Sequence, residues 1–216
     1  MKLEGCRISF LGDSITEGYR ASDPSLVYWR RFEQDKAIVK GYGVAGTRIA
    51  MRRIPSPDPS FDETFELRSD QIDRDSDVIV IFGGTNDFGH GDAMLGGKDD
   101  QDRYTFCGAL NCLADHLSKR FPNAQLVWMT PLHRNDEDSP FNEWGIKHTA
   151  PLSDYVDALT QMCQRKGFAL LDLYHLSGLD PRDPVLRETY SPDGLHPNDA
   201  GMERIYTLLR EFLISL

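Results

Sequence analysis

Basic charge is what this chain has too little of. It sets 24 Lys and Arg against 34 Asp and Glu, a net charge of −10. Nucleic acids and anionic membranes are bound through basic surface, so neither is expected as a partner. The Arg30-Arg31 and Arg52-Arg53 pairs are isolated and read as solvated charge. Long hydrophobic runs are missing too, since nothing approaches the roughly 18–20 apolar residues that cross a bilayer. The opening MKLEGCRISFLGDS carries Glu4 and Arg7 where a secretory signal would be apolar. Cysteine is scarce: the four residues (Cys6, Cys107, Cys112, Cys163) show no CxxC spacing. That leaves reduced thiols and a cytoplasmic location as the expectation, with Cys6 in the first strand and the others in helices. There is no P-loop, no HExxH and no histidine pair at ligand spacing. His90, His116, His133, His148 and His175 stand singly and read as surface or loop residues, not metal ligands.

What is present is an alternation. The 216 residues are most simply one domain, spanning 1–216. Segments 7–11, 77–82, 125–129 and 168–173 are apolar runs rich in β-branched residues, and 37–39 is a weaker one. Runs that do not alternate with polar residues point to a parallel sheet covered on both faces. Between them, apolar residues recur at helical spacing: Leu110, Leu113, Ala114 and Leu117; then Leu152, Tyr155, Val156, Leu159 and Met162; then Met202, Ile205, Leu208, Leu209, Phe212 and Leu213. Strand and helix in alternation imply a doubly wound α/β domain that binds ligands at the carboxyl ends of its strands. Stretches 55–62, 90–102 and 133–151 are too polar or too rich in Pro and Gly for regular structure. As long loops they would shape a substrate pocket.

Three strands run directly into small and polar residues: Gly12-Asp13-Ser14, the stretch from Gly41 to Thr47, and Gly83-Gly84-Thr85-Asn86-Asp87. A fourth polar block, Ser191-Pro192-Asp193-Gly194-Leu195-His196-Pro197, precedes the last helix. Each has an ordinary reading. Ser14-Ile15-Thr16-Glu17 fits the S-x-x-E capping box, glycines after a strand are common turns, and Asp193-Gly194 is itself a turn. Each also has a chemical one. Pro197 biases His196 toward extended backbone, and Asp193, three residues earlier, is close enough to orient its imidazole. Such a pair takes the proton of a serine hydroxyl. The G-x-S-x-G turn is absent, because Thr16 stands two residues after Ser14.

In this order, the four blocks resemble the SGNH hydrolase superfamily, also called the GDSL esterases and lipases, and in particular its small bacterial members. The resemblance rests on Gly12-Asp13-Ser14-Ile15, Gly46 in Ala45-Gly46-Thr47, Gly83 to Asp87, and Asp193-Gly194-Leu195-His196-Pro197. It spans nearly the whole chain. It implies a flavodoxin-like three-layer α/β/α sandwich with a central parallel sheet of about five strands. It makes Ser14 the nucleophile, His196 the general base and Asp193 the residue that orients His196. The oxyanion hole would be the backbone N–H of Ser14 and of Gly46 and the side-chain amide of Asn86. Asp13, Thr85 and Trp144 are further candidates for substrate contact, Trp144 as a stacking platform. Ile15 replaces the family's Leu at a core position, and Tyr42 stands where many members carry Asn. No metal or organic cofactor is implied.

The expected activity is hydrolysis of short acyl esters, such as O-acetyl groups on a carbohydrate. The partner is thus a small-molecule ester, and the oligomeric state stays open. The alternatives are a thioesterase or lysophospholipase with the same residues and, from another class, a non-catalytic ligand-binding module. If Ser14 is a nucleophile its hydroxyl cannot also cap a helix. Its side chain should face solvent and His196, and another residue should take the cap.

Overall fold

A computed structural model describes residues 1–216. Its strands are β1 (Arg7–Gly12), β2 (Ile38–Gly43), β3 (Val78–Phe82), β4 (Gln125–Met129) and β5 (Ala169–Leu171). They form one sheet in the order β2-β1-β3-β4-β5, and every neighbouring pair is parallel. The chain steps from β1 to β2 on one side, then crosses back to β3 on the other. Connections therefore diverge between β1 and β3, leaving a crevice beyond their carboxyl ends.

The helices are α1 (Ser14–Glu17), α2 (Phe65–Ser69), α3 (Thr85–Gly89), α4 (Phe106–Arg120), α5 (Leu152–Lys166), α6 (Leu173–Leu176), α7 (Pro184–Tyr190) and α8 (Asp199–Ser215). Alternate strand residues serve opposite faces. Ile8, Phe10, Val78, Val80 and Phe82 pack with Met202, Ile205 and Leu209 of α8. Leu11, Ile79, Ile81 and Trp128 pack with Leu110, Leu113 and Leu159 of α4 and α5. Both faces are covered, which is why the strand sequences are apolar without alternation. Ile15 is buried among the α8-side residues, as its core position required.

The three long amphipathic helices fall where the sequence placed them, while α2, α3, α6 and α7 were not anticipated. β2 runs to Gly43 instead of ending near Val39. Its glycines disguise a strand: the indole of Trp29 lies where a side chain at Gly41 would go. β5 is shorter than the apolar run, because Asp172 accepts the N–H of His175 and turns the chain into α6. Cys6 stands one residue ahead of β1, and all four cysteines are unpaired. No helix is long and apolar enough to cross a membrane.

Candidate active site

Ser14 begins α1, directly beyond the end of β1. The cap of this helix is Asp13, whose Oδ1 accepts the Ile15 N–H at 3.0 Å. The Ser14 hydroxyl is thus free of the cap and lies 3.0 Å from His196 Nε2. The residue itself is buried, more enclosed than a solvent-facing serine. His196 is carried by the loop ahead of α8, which folds around one carboxylate. Asp193 Oδ1 accepts the backbone N–H groups of Leu195 and His196, at 3.0 and 2.8 Å. This is the local turn that Asp favours, and it leaves Oδ2 to face His196 Nδ1 at 3.0 Å. Asn198 then caps α8 by accepting from Ala200 and Gly201. A hydroxyl, an imidazole and a carboxylate stand in line.

The ends of β2 and β3 flank the end of β1 that leads to Ser14. Gly46 has φ +72°, and the ring of Phe61 packs 2.8 Å from where its Cβ would be, so only glycine fits without strain. Asn86, at the start of α3, donates through Nδ2 to the Thr47 carbonyl at 2.9 Å. One amide N–H of Asn86 remains for a further acceptor. The loop after β2 that carries Gly46 is fastened from three sides. Glu17 accepts the Ala45 N–H at 2.6 Å, which is where its carboxylate goes instead of into a capping box. Asp87 accepts from the N–H groups of Ile49 and Ala50, at 3.1 and 2.8 Å. Arg68 of α2 donates to the Gly12 carbonyl at 3.0 Å and to Thr47 Oγ1 at 2.8 Å.

Electrostatics separate the carboxylates. Burial pushes Asp13 up to about 6, against the lowering effect of the Ile15 N–H. Burial does the same to Asp87, also to about 6. Burial would raise Asp193 too, but the His196 ring, two backbone N–H groups and Arg20 outweigh it and hold this carboxyl well below the usual range. Asp193 is therefore an anion across the working pH range, which is what a partner of an imidazolium needs.

A cleft of about 350 Å³ opens beside His196, lined by Tyr19, Arg134, Asn135, Asp136 and Glu143. The three candidate substrate contacts fare differently. Asp13 is 1% exposed, its carboxylate turned inward to the cap, so burial removes it from the substrate's reach. Thr85 is also buried, its carbonyl and hydroxyl accepting from Arg134 Nη1 at 2.9 and 3.4 Å. Trp144 is 61% exposed and lies obliquely against His90, 5.8 Å between ring centroids, next in sequence to the cleft-lining Glu143. Not all the remaining histidines are simple surface residues. His90 is largely buried beside Arg52, and burial with nearby Arg52 and Arg48 drops it to about 3. His148 stacks on Phe88 at 4.0 Å.

Sequence reasoning passed over Arg20, Arg68 and Asp87. Each acts on residues distant in the chain, Arg20 and Arg68 from outside any local motif and Asp87 from the end of the Gly83–Asp87 block, where no role was read for it; Arg68 and Gly12 are 56 residues apart.

A family model, that of the GDSL-like Lipase/Acylhydrolase family, matches residues 10–204. Among solved structures, one is 31% identical to this chain, covering 100% of it and 99% of its own length, with a TM-score of 0.85. A protein from Lactobacillus plantarum is 30% identical over 98% of each chain, with a TM-score of 0.83. An acetyl xylan esterase, 19% identical, shares the fold at a TM-score of 0.64 over 95% of this chain and 98% of its own. No protein of curated function matches the chain.

Proposed function

Because the chain belongs to the GDSL-like lipase/acylhydrolase family and is an ester-hydrolysing enzyme, we propose that it is a serine esterase acting through an acyl-enzyme on Ser14. The observation that carries this reading is the line from Ser14 Oγ to His196 Nε2 to Asp193 Oδ2, 3.0 Å at each step. A serine hydroxyl is a weak nucleophile until a base takes its proton. Here His196 Nε2 takes it as Oγ attacks the ester carbonyl, and Asp193 steadies the imidazolium through Nδ1. The tetrahedral oxyanion is received by the N–H groups of Ser14 and Gly46 and by the Asn86 amide. His196 then protonates the leaving alcohol, and water, activated in the same way, releases the acid from Ser14.

The cleft supports a reading of the substrate class. Its polar wall of Arg134, Asn135, Asp136 and Glu143 suits a hydroxyl-rich leaving group and a short acyl chain, and offers little to a long one. O-acetylated carbohydrates fit this description better than the lipids or thioesters of a lysophospholipase or thioesterase. The four unpaired thiols favour a reducing compartment, hence a cytoplasmic enzyme.

The test is hydrolysis of p-nitrophenyl esters from acetate to palmitate, with acetylated sugars and acyl-CoA alongside. Acetate should be the best of the series, and Ser14→Ala should lose at least about 10⁴-fold in kcat. Turnover surviving in that variant would remove Ser14 as the nucleophile. A preference for palmitate or acyl-CoA would move the enzyme to the alternative class.

A further inference from the structure

On the reading of Ser14, His196 and Asp193 given above, we propose that Arg20 is a positioning residue of this triad, one that holds the Asp193 carboxylate against the His196 ring and offsets part of the negative charge that the ring meets. Arg20 Nε donates to Asp193 Oδ2 at 2.9 Å, and this is the same oxygen that faces His196 Nδ1 at 3.0 Å. The other oxygen is taken by two backbone N–H groups. With Arg20 in place the carboxylate cannot rotate away from the ring without breaking an ion pair.

The backbone carries a second, independent sign. Arg20 has φ +72°, and Lys36 is the other non-glycine residue with positive φ. Both residues sit in hydrogen-bonded turns: Lys36 ends a 3₁₀ turn by donating its N–H to the Glu33 and Phe32 carbonyls, and Arg20 occupies a turn closed by the Ala21 N–H donating to the Gly18 carbonyl at 3.0 Å. The conformation of Arg20 is one that glycine adopts freely and a long side chain does not. Strain of this kind persists where the surroundings hold it, and it clusters at functional sites. What the strained turn achieves is visible at its two neighbouring side chains. Tyr19 lays its ring against His196, with centroids 4.5 Å apart, while Arg20 reaches Asp193.

The charge argument runs the same way. Asp193 stabilises the imidazolium, but a guanidinium bonded to the same oxygen draws on that carboxylate and adds positive charge nearby. Both effects favour neutral imidazole, the form that accepts the Ser14 proton. The other charged groups about His196 are the buried Asp13 from the β1 turn and, across the cleft, Arg134, Asp136 and Glu143. Arg134 is bonded to Asp136 at 2.6 Å, so that pair largely offsets itself. Arg20 is the cation bonded directly to the triad carboxylate.

The experiment is the pH profile of kcat/KM for p-nitrophenyl acetate in Arg20→Gly, Arg20→Ala and Arg20→Lys, with Ser14→Ala as the control. The acid limb should move to higher pH by about half a unit in the Gly and Ala variants, an additional loss of roughly 3-fold on the acid side. Arg20 is 54% exposed at its side chain, so the shift should shrink as salt is added. Arg20→Lys should return part of it. Arg20→Gly should unfold at or above the wild-type temperature, because glycine removes the backbone strain, so its kinetic defect would not be a folding defect. Acid limbs that superimpose on the wild type, or a pH-independent loss of rate, would overturn the role of Arg20 while leaving Ser14 and His196 untouched. Activity surviving in Ser14→Ala would overturn the underlying reading and this proposal with it.

Discussion

At Ser14 two uses of one hydroxyl compete, and its neighbour resolves them. A serine that caps a helix turns its oxygen toward backbone N–H groups; here Asp13 does so, and Ser14 Oγ lies against His196. The arrangement has a cost that falls on Asp13. Its carboxyl is raised from the ordinary 3.8 to about 6 by burial, so above pH 6 the folded protein carries a charge that water would hold more cheaply. As pH falls from 6 toward 4, the folded state takes up a proton that the unfolded chain does not yet bind, and the penalty fades. Asp13→Asn keeps an acceptor for the Ile15 N–H and removes the charge. It should therefore be more stable than wild type at pH 7, by up to about 2–3 kcal/mol. The gain should shrink toward zero by pH 4. Denaturant unfolding at several pH values measures this, and a difference that grows on acidification would contradict the assigned direction.

Among the elements, α2 is short and carries no candidate catalytic residue, yet it fastens the site. Arg68, 2% exposed, reaches the carbonyls of Glu63, Tyr42 and Gly12 and the hydroxyl of Thr47. One guanidinium thereby ties the end of β1, which leads to Ser14, to the end of β2 and to the loop that carries Gly46. Burial lowers it to about 10, which still leaves it charged at neutral pH. Removing it would strand several buried acceptors at roughly 1–3 kcal/mol each. Arg68→Ala should thus melt earlier and, where folded, lose kcat far more than it gains in KM. Millimolar guanidinium should restore part of kcat, and Arg68→Lys should not match it, because an ammonium lacks the planar fork. A folded Arg68→Ala with wild-type kcat would deny the role. Such ties explain what could and could not be read from the chain. The strands, the long helices and the polar blocks at strand ends are legible because each is a local pattern: an apolar run, a helical stripe, a turn. β2 reads as shorter than it is because Gly41 and Gly43 break its pattern, and they make sense only in the fold, where the Trp29 indole packs on Gly41 and the α1 backbone at Thr16 and Glu17 packs on Gly43. Arg20 and Arg68 had no pattern to show, since Arg20 meets Asp193 across 173 residues and Arg68 meets Gly12 across 56.

The molecule as a whole places its chemistry where the order β2-β1-β3-β4-β5 opens a crevice, with Ser14 after β1 and Asn86 after β3. That crevice sits in a protein of net charge −10. The local charges sum to the same sign: Asp136, Glu143 and Asp193 line the cleft beside His196, and with Arg134 paired to Asp136 and Arg20 to Asp193 the carboxylate of Glu143 is left over. A field of one sign over a cleft raises the local concentration of oppositely charged solutes and lowers that of like-charged ones. Neutral esters, including acetylated neutral sugars, meet no such barrier. An ester with a carboxylate in its acyl chain, such as p-nitrophenyl hemisuccinate, should be a poor substrate at low ionic strength. Its kcat/KM should rise several-fold between about 10 mM and 500 mM NaCl, as the screening length falls from roughly 30 Å to below 8 Å. The rate with p-nitrophenyl acetate should stay nearly flat over the same range. An anionic ester that is preferred at low salt and slowed by added salt would mean that the cationic side chains of the site, not the net charge, govern approach. Parallel salt curves for the two esters would mean that salt acts on the enzyme instead of on the encounter.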